Sequence, residues 1–259
     1  MRRNSFFIIF SLLFIVFISV EISFSIEKID DELDRAWDIG NDEVFKKLEN
    51  KITILITKGE PLSHFYLAKL YYRWASCMET KGNTSKDYWL CGVNAIENKI
   101  LWNKAGTYID KALAEILEAE GKNKPSSRIQ AFKAFILCKK LLHGGLKSAY
   151  TYAKPFTESA KKALNLNDKD PYAHLALGLN EYTRPPIAGG DPKRALKHFE
   201  NSINVAPDFA EGYFWLGRYW MNPHIEKDTK KAMEYFNKAY TIRPENWIFK
   251  EVSHIIKMK

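Results

Sequence analysis

Along most of the chain the apolar positions recur three and four residues apart. They do so over 29–39, 45–56, 65–78, 108–117, 129–142, 149–166, 172–182, 195–205, 209–221, 232–242 and 247–256. That spacing gives one apolar stripe to each of eleven amphipathic helices, and alternation of the strand type is hardly seen. Breakers separate the segments: Lys58-Gly59-Glu60-Pro61, Gly144-Gly145, Asp168 to Pro171, Arg184 to Pro192 and Asn222-Pro223. Asp191-Pro192 and Asp170-Pro171 each set a capping carboxylate before a proline at the first helical position, and Ser126 is a third cap. Short connections make consecutive helices antiparallel neighbours. The pattern therefore predicts an all-α chain of helix hairpins, either a bundle or a stacked array.

Internal repetition favours the array. Tyr213-x2-Leu216-Gly217-x2-Trp220 is followed by Ala232-x3-Phe236-x2-Ala239-x4-Pro244. His174-x2-Leu177-Gly178 is followed by Ala195-x3-Phe199-x2-Ser202-x4-Pro207. Earlier copies are His64-x2-Leu67-Ala68-x2-Tyr71 with Ala105-x3-Ile109-x2-Ala112, and Phe156-x3-Ala160-x2-Ala163, whose partner over 126–142 is degenerate. This pattern resembles the tetratricopeptide repeat (TPR) family, most clearly over 171–244. The second-helix markers Ala105, Phe156, Ala195 and Ala232 lie 51, 39 and 37 residues apart, against a family period of about 34. The resemblance implies antiparallel hairpins stacked as a right-handed solenoid, with small residues permitting close approach and Phe199 and Phe236 filling the space between hairpins.

The first 25 residues read differently. Arg2 and Arg3 precede the uncharged apolar run Phe6 to Val20, and Ser23-Phe24-Ser25 offers small residues for cleavage before Ile26. This is the form of a secretory signal peptide. Fifteen residues fall short of a bilayer core; an uncleaved anchor, and with it a membrane tether, is the alternative. The expectation is an extracytoplasmic chain, periplasmic or secreted, with a helical domain over 26–259. No cysteine follows the run until Cys77, so lipid anchoring is not indicated. Cys77, Cys91 and Cys138 would then meet an oxidising compartment, where they are either small hydrophobes or include a Cys77–Cys91 bridge.

Composition trims the functional classes. The chain is 46% hydrophobic and 27% charged with a formal charge of +8, which argues against disorder. Thirty of the 39 basic residues are lysine, mostly interspersed with Asp and Glu, so the balance reads as solvated helix faces rather than a nucleic-acid site. No metal-binding spacing, nucleophile elbow or P-loop is present, and the pattern calls for no cofactor, metal or catalytic residue. Gly189-Gly190-Asp191-Pro192 could cradle a phosphate, but lacks the Lys-Ser/Thr of a P-loop and reads better as a helix-capping turn.

What remains is a surface. If Leu216, Gly217 and Trp220 face the partner helix, Glu211, Phe214, Arg218 and Met221 lie on the opposite, concave side. The equivalent set in the preceding hairpin is Tyr172, Leu175, Leu179 and Tyr182. An insertion at about 79–104 contributes Trp89 and Trp102 as further contact candidates. The TPR resemblance implies a non-catalytic scaffold that docks a protein or peptide partner in this aromatic groove. The Pro-Pro and Gly-Gly-Asp turns also resemble the T component of TRAP transporters, which implies a ligand-binding accessory of a transport system with an enclosed apolar cavity. A helical enzyme of unknown reaction is the third alternative.

Overall fold

The computed structural model describes residues 28–82, 98–225 and 227–257. Within them the chain is all-α. Helix α1 spans 28–39. It is followed by α2 (Asp42–Thr57), α3 (Ser63–Lys81), α4 (Lys99–Lys122), α5 (Ser127–Leu166), α6 (Pro171–Thr183), α7 (Pro192–Val205), α8 (Ala210–Met221), α9 (Thr229–Ile242) and α10 (Trp247–Lys257). A single 3-10 turn, Pro186–Ala188, lies between α6 and α7. Helix α5 is two helices in effect. Gly145 adopts φ 57° and ψ −148°, a conformation open to glycine alone, and bends it sharply. The arms 127–144 and 146–166 fold back on one another, so that Ser127 Oγ donates to the Ala163 carbonyl at 2.9 Å.

The starts of these helices are fixed by side chains. Asn41, Asn98, Ser126, Asp170, Asp191 and Asp228 each accept a hydrogen bond from a backbone N–H of the following first turn, a contribution of about 1 kcal/mol apiece.

Each helix packs on its neighbour in sequence, from α2 through α10. The seams explain the repeat pattern. A Cβ on Gly178 would lie 2.4 Å from the Phe199 ring, and one on Gly217 would lie 2.6 Å from Phe236. Each phenylalanine thus lies on the glycine of its own hairpin, inside the seam rather than only between hairpins as the sequence suggested. Phe199 then reaches the next hairpin, stacking on Trp215 at 6.2 Å, while Phe236 meets Phe214 within its own hairpin at 5.5 Å. Ala105, Ile109 and Ala112, then Phe156, Ala160 and Ala163, are buried in the same way in the two earlier hairpins. The array is TPR-like in construction.

Two features depart from expectation. Helix α4 begins at Lys99, capped by Asn98, and α3 continues to Lys81. The insertion expected over 79–104 therefore shrinks to the residues between the two helices, and 83–97, with Trp89 and Cys91, lie outside the described residues. The signal-like segment also lies outside them. Among the described residues no helix is long and apolar enough to cross a membrane.

The second departure is closure. The array curves until its first helix meets its last. Trp37 of α1 sets its ring edge against Phe249 of α10 at 5.5 Å and 90°. Arg243, between α9 and α10, reaches Asp38 at 2.7 Å, and Asn246 Nδ2 donates to Asp38 at 2.9 Å. Gly40, at φ +64°, packs so closely on the Trp247 indole that a Cβ there would come within 2.3 Å.

Candidate functional site

Closure turns the concave face into an interior. A cavity of about 100 Å³ lies at its centre, and its wall draws on α1, α3, α5, α6, α8 and α10. Aromatic rings dominate it: Trp37, Tyr72, Phe132, Phe135, Tyr172, Phe214, Trp215 and Phe249. Five charged residues, Arg73, Glu79, Lys139, Glu211 and Arg218, interrupt the apolar lining.

The buried charges among them are held by opposite partners, as buried charges must be. Arg73 Nη2 donates to Glu211 Oε1 at 2.6 Å, and the Tyr172 hydroxyl donates to the same oxygen at 3.4 Å. Burial alone would lower the Arg73 pKa, but Glu211 outweighs it and the guanidinium is held above its usual range. Burial, then Glu211, pushes the Tyr172 hydroxyl well up, so it stays a donor. The Arg73 guanidinium lies 3.8 Å from the Trp37 ring centre, with Arg243 over the same indole at 5.0 Å. Farther along α3, Glu79 accepts from Lys139 and from His143 Nε2, the latter at 2.8 Å. Burial works against the Glu79 carboxylate, yet Lys139 and His143 together hold it below the usual range.

Six of the eight residues assigned to the groove from sequence meet at this cavity: Tyr172, Leu175, Leu179, Glu211, Phe214 and Arg218. All but Arg218 are buried. The surface is thus enclosed rather than an open trough. Arg218 lies over Phe214 at 4.6 Å and Trp215 at 5.0 Å. The remaining two residues lie elsewhere, being last-turn positions past the cavity. Tyr182 turns into the seam with the next hairpin, against Phe199, Trp215 and Tyr219, and accepts from Asn222 at 2.9 Å. Met221 is buried at the end of α8.

Trp102 is not on a loop. It occupies the first turns of α4, and its ring stacks on His143 at 3.9 Å and 10°. It therefore supports, from outside, the imidazole that holds Glu79.

Sequence reasoning missed the α3 contribution. Aligning Leu67-Ala68 with Leu216-Gly217 sets Phe65, Lys69 and Tyr72 where α8 has Phe214, Arg218 and Met221. The cavity instead takes Tyr72, Ser76 and Glu79, seven residues farther along the same face. Continuing that face for two turns would have found them.

The other sequence candidates are structural. Asp191 accepts from the Lys193 and Arg194 amides, and Gly190 is pressed against the Arg184 carbonyl, so the Gly-Gly-Asp-Pro segment is a capping turn. Among the described residues, Cys77 and Cys138 are buried free thiols, pushed up to about 12 and about 11, in each case chiefly by burial.

No family model matches the chain, and no curated protein matches it. Seven solved chains match it in structure. One is described as "Crystal structure of YrrB: a TPR protein with an unusual peptide-binding site"; it shares 13% identity and a TM-score of 0.40, over 83% of this chain and 93% of that one.

Proposed function

We propose that this is an exported, non-catalytic helical-repeat protein that takes an apolar or aromatic anchor of a protein or peptide partner into its central cavity. The observation that carries the reading is the meeting of aromatic faces from separate hairpins around one space bordered by Arg73, Lys139 and Arg218. Aromatic walls with a few fixed charges suit a buried anchor, and hot spots of this type dominate affinity. The cavity volume of about 100 Å³ admits a side chain rather than a helix. The non-catalytic part of the reading draws on the carboxylates: Glu211 is paired with Arg73, and Lys139 and His143 hold the Glu79 carboxylate below its usual range, which makes it a poor proton acceptor.

Ser76→Leu tests it. Ser76 borders the cavity, and its hydroxyl donates within its own helix, to the Tyr72 carbonyl at 2.9 Å. The variant fills the space without breaking a tie between helices. Helicity and melting should be retained while capture of a partner from extracytoplasmic extract is lost, and Arg218→Ala should weaken capture too. Capture undiminished in both variants removes the cavity from the proposal.

The second reading, a ligand-binding accessory of a transport system, is favoured by the closure of the ring, since an enclosed interior suits a small molecule. Native mass spectrometry of the purified chain, with light scattering, separates the two. A co-purified small molecule displaced by Ser76→Leu, in an oligomer, would select this reading over partner capture.

A further inference from the structure

A second space lies on the outer side of the His143 imidazole. Its volume is about 270 Å³, and it opens between the first half of α4 and the end of the first arm of α5. It shares no residue with the central cavity. Asn103, Gly106, Thr107 and Asp110 supply one wall, since positions three, four and seven apart share a face of α4. Trp102, Lys140 and His143 supply the rest, over a floor at the buried Ile109.

The polar groups of this wall are open. Asn103, Thr107 and Asp110 are exposed, and Trp102, Lys140 and His143 are half-buried. Asp110 pairs with Lys140 through Oδ1, yet its side chain is 63% exposed, so Oδ2 remains to accept. His143 is the distinctive member. Its Nε2–H is committed to the buried Glu79 carboxylate at 2.8 Å, and its ring is stacked on Trp102. A carboxylate on one ring nitrogen fixes the tautomer and the orientation of the ring, and leaves a lone pair on the other nitrogen. That nitrogen, Nδ1, has no hydrogen-bond partner among the described residues and is not sealed from solvent. It faces Gly106, where a Cβ would come within 3.3 Å of it, so the glycine leaves it uncovered. Packing does not call for an oriented acceptor turned toward open space, and a binding site does.

The chemistry of the wall selects the occupant. Asp110 and His143 accept, Lys140 donates and the Asn103 amide does both. Asp110 and Lys140 cancel in charge, so the wall asks for a neutral molecule. Hydroxyl groups, which donate and accept at once, match such a mixture. The volume falls below the range of about 300–1,000 Å³ typical of drug-sized ligands, which limits the occupant to one small ring. Among the described residues no group of three or more metal-ligating side chains gathers, which leaves His143 and Asp110 short of a metal's ligand set.

We infer that this pocket binds a small neutral polyhydroxylated ring, of the class of a monosaccharide or cyclitol, with one hydroxyl donating to His143 Nδ1 and others shared among Asn103, Asp110 and Lys140. The site stands independently of the central cavity and of the function proposed for it.

Methyl α-glucopyranoside, methyl β-galactopyranoside and myo-inositol serve as probes, with cyclohexylmethanol as an apolar ring and proline as a zwitterionic one. Each is titrated into the purified chain and followed by NMR of the His143 imidazole nitrogens and the Trp102 indole. At least one polyol should bind saturably and move the His143 Nδ1 resonance, about tenfold tighter than either comparison ring. Asn103→Ala, at an exposed position, should weaken that binding about tenfold. Thr107→Trp, where the hydroxyl bonds only within its own helix at 3.3 Å, should fill the pocket and abolish it. Ser76→Leu, in the central cavity, should change nothing. Absence of saturable polyol binding, equal or tighter binding of cyclohexylmethanol or proline, binding undiminished by Asn103→Ala or Thr107→Trp, or loss on Ser76→Leu would each overturn the inference.

Discussion

At Gly217 the space for a side chain is already taken by the Phe236 ring, and at Gly178 by Phe199. Both glycines sit inside helices, where the residue itself costs up to about 1 kcal/mol relative to alanine. The cost is accepted because the hairpin needs the approach. Gly121, near the end of α4, is the internal control, since a methyl there would meet nothing within 4 Å. Gly217→Ala and Gly178→Ala should each lower stability by about 1–3 kcal/mol through overpacking. Gly121→Ala should raise it by about 0.5–1 kcal/mol. Urea unfolding of the three variants checks this. Equal effects at all three positions would show that the glycines do not act through the seam.

Between elements, a single carboxylate can tie three helical segments together. Glu120, near the end of α4, accepts from Gln130 at 2.7 Å and from Lys133 on the first arm of α5, and from Lys162 on the second arm at 3.2 Å. Burial alone would raise its pKa, but these three donors lower it to about 2. A carboxylate depressed from 4.5 contributes stability that is complete above about pH 4.5 and is lost as the pH falls toward 2. The gap in stability between wild type and Glu120→Gln should therefore hold near neutrality, shrink below pH 4.5 and close near pH 2. Solvent access limits its size to about 0.5–1 kcal/mol. Urea midpoints across that range read it directly, and a gap independent of pH would dismiss the clamp. At this scale much was legible in sequence. The Gly145 bend and the α6 to α9 seams follow from glycine punctuation and from the Ala-x3-Phe spacing. The start of α4 did not, because its first turn, with Ile100 exposed, shows no buried stripe before Ala105 and is fixed by the Asn98 cap. The α6 and α8 share of the cavity was legible because their registers match, and the α3 share was not because α3 uses the same face two turns later.

Across the whole molecule, the decisive contacts join residues about two hundred positions apart, and local periodicity carries no trace of them. Asp34 and Asp38 of α1 meet Arg243, and Trp37 meets Phe249; shorter-range ties brace the same helix, with Arg73 over the Trp37 ring and Lys69 on Asp30 at 2.6 Å and Asp34 at 3.0 Å. In an open solenoid each hairpin answers only to its neighbours, so a change in the first helix is felt locally and fades. A closed ring behaves differently, since its first and last helices share one interface. Trp37→Ala removes the ring against which Phe249, Arg73 and Arg243 pack, at a cost of about 3–5 kcal/mol. Hydrogen exchange should then show α1 and α10 losing protection together, while α7, which borders neither that interface nor the cavity, keeps its own. Arg243→Ala should reproduce the pattern by removing the guanidinium that ties the last hairpin to Asp34 and Asp38. Loss confined to α1 and α2, with α10 unaltered in both variants, would mean that the two ends do not hold each other, and that the aromatic interior is an open trough rather than a cavity.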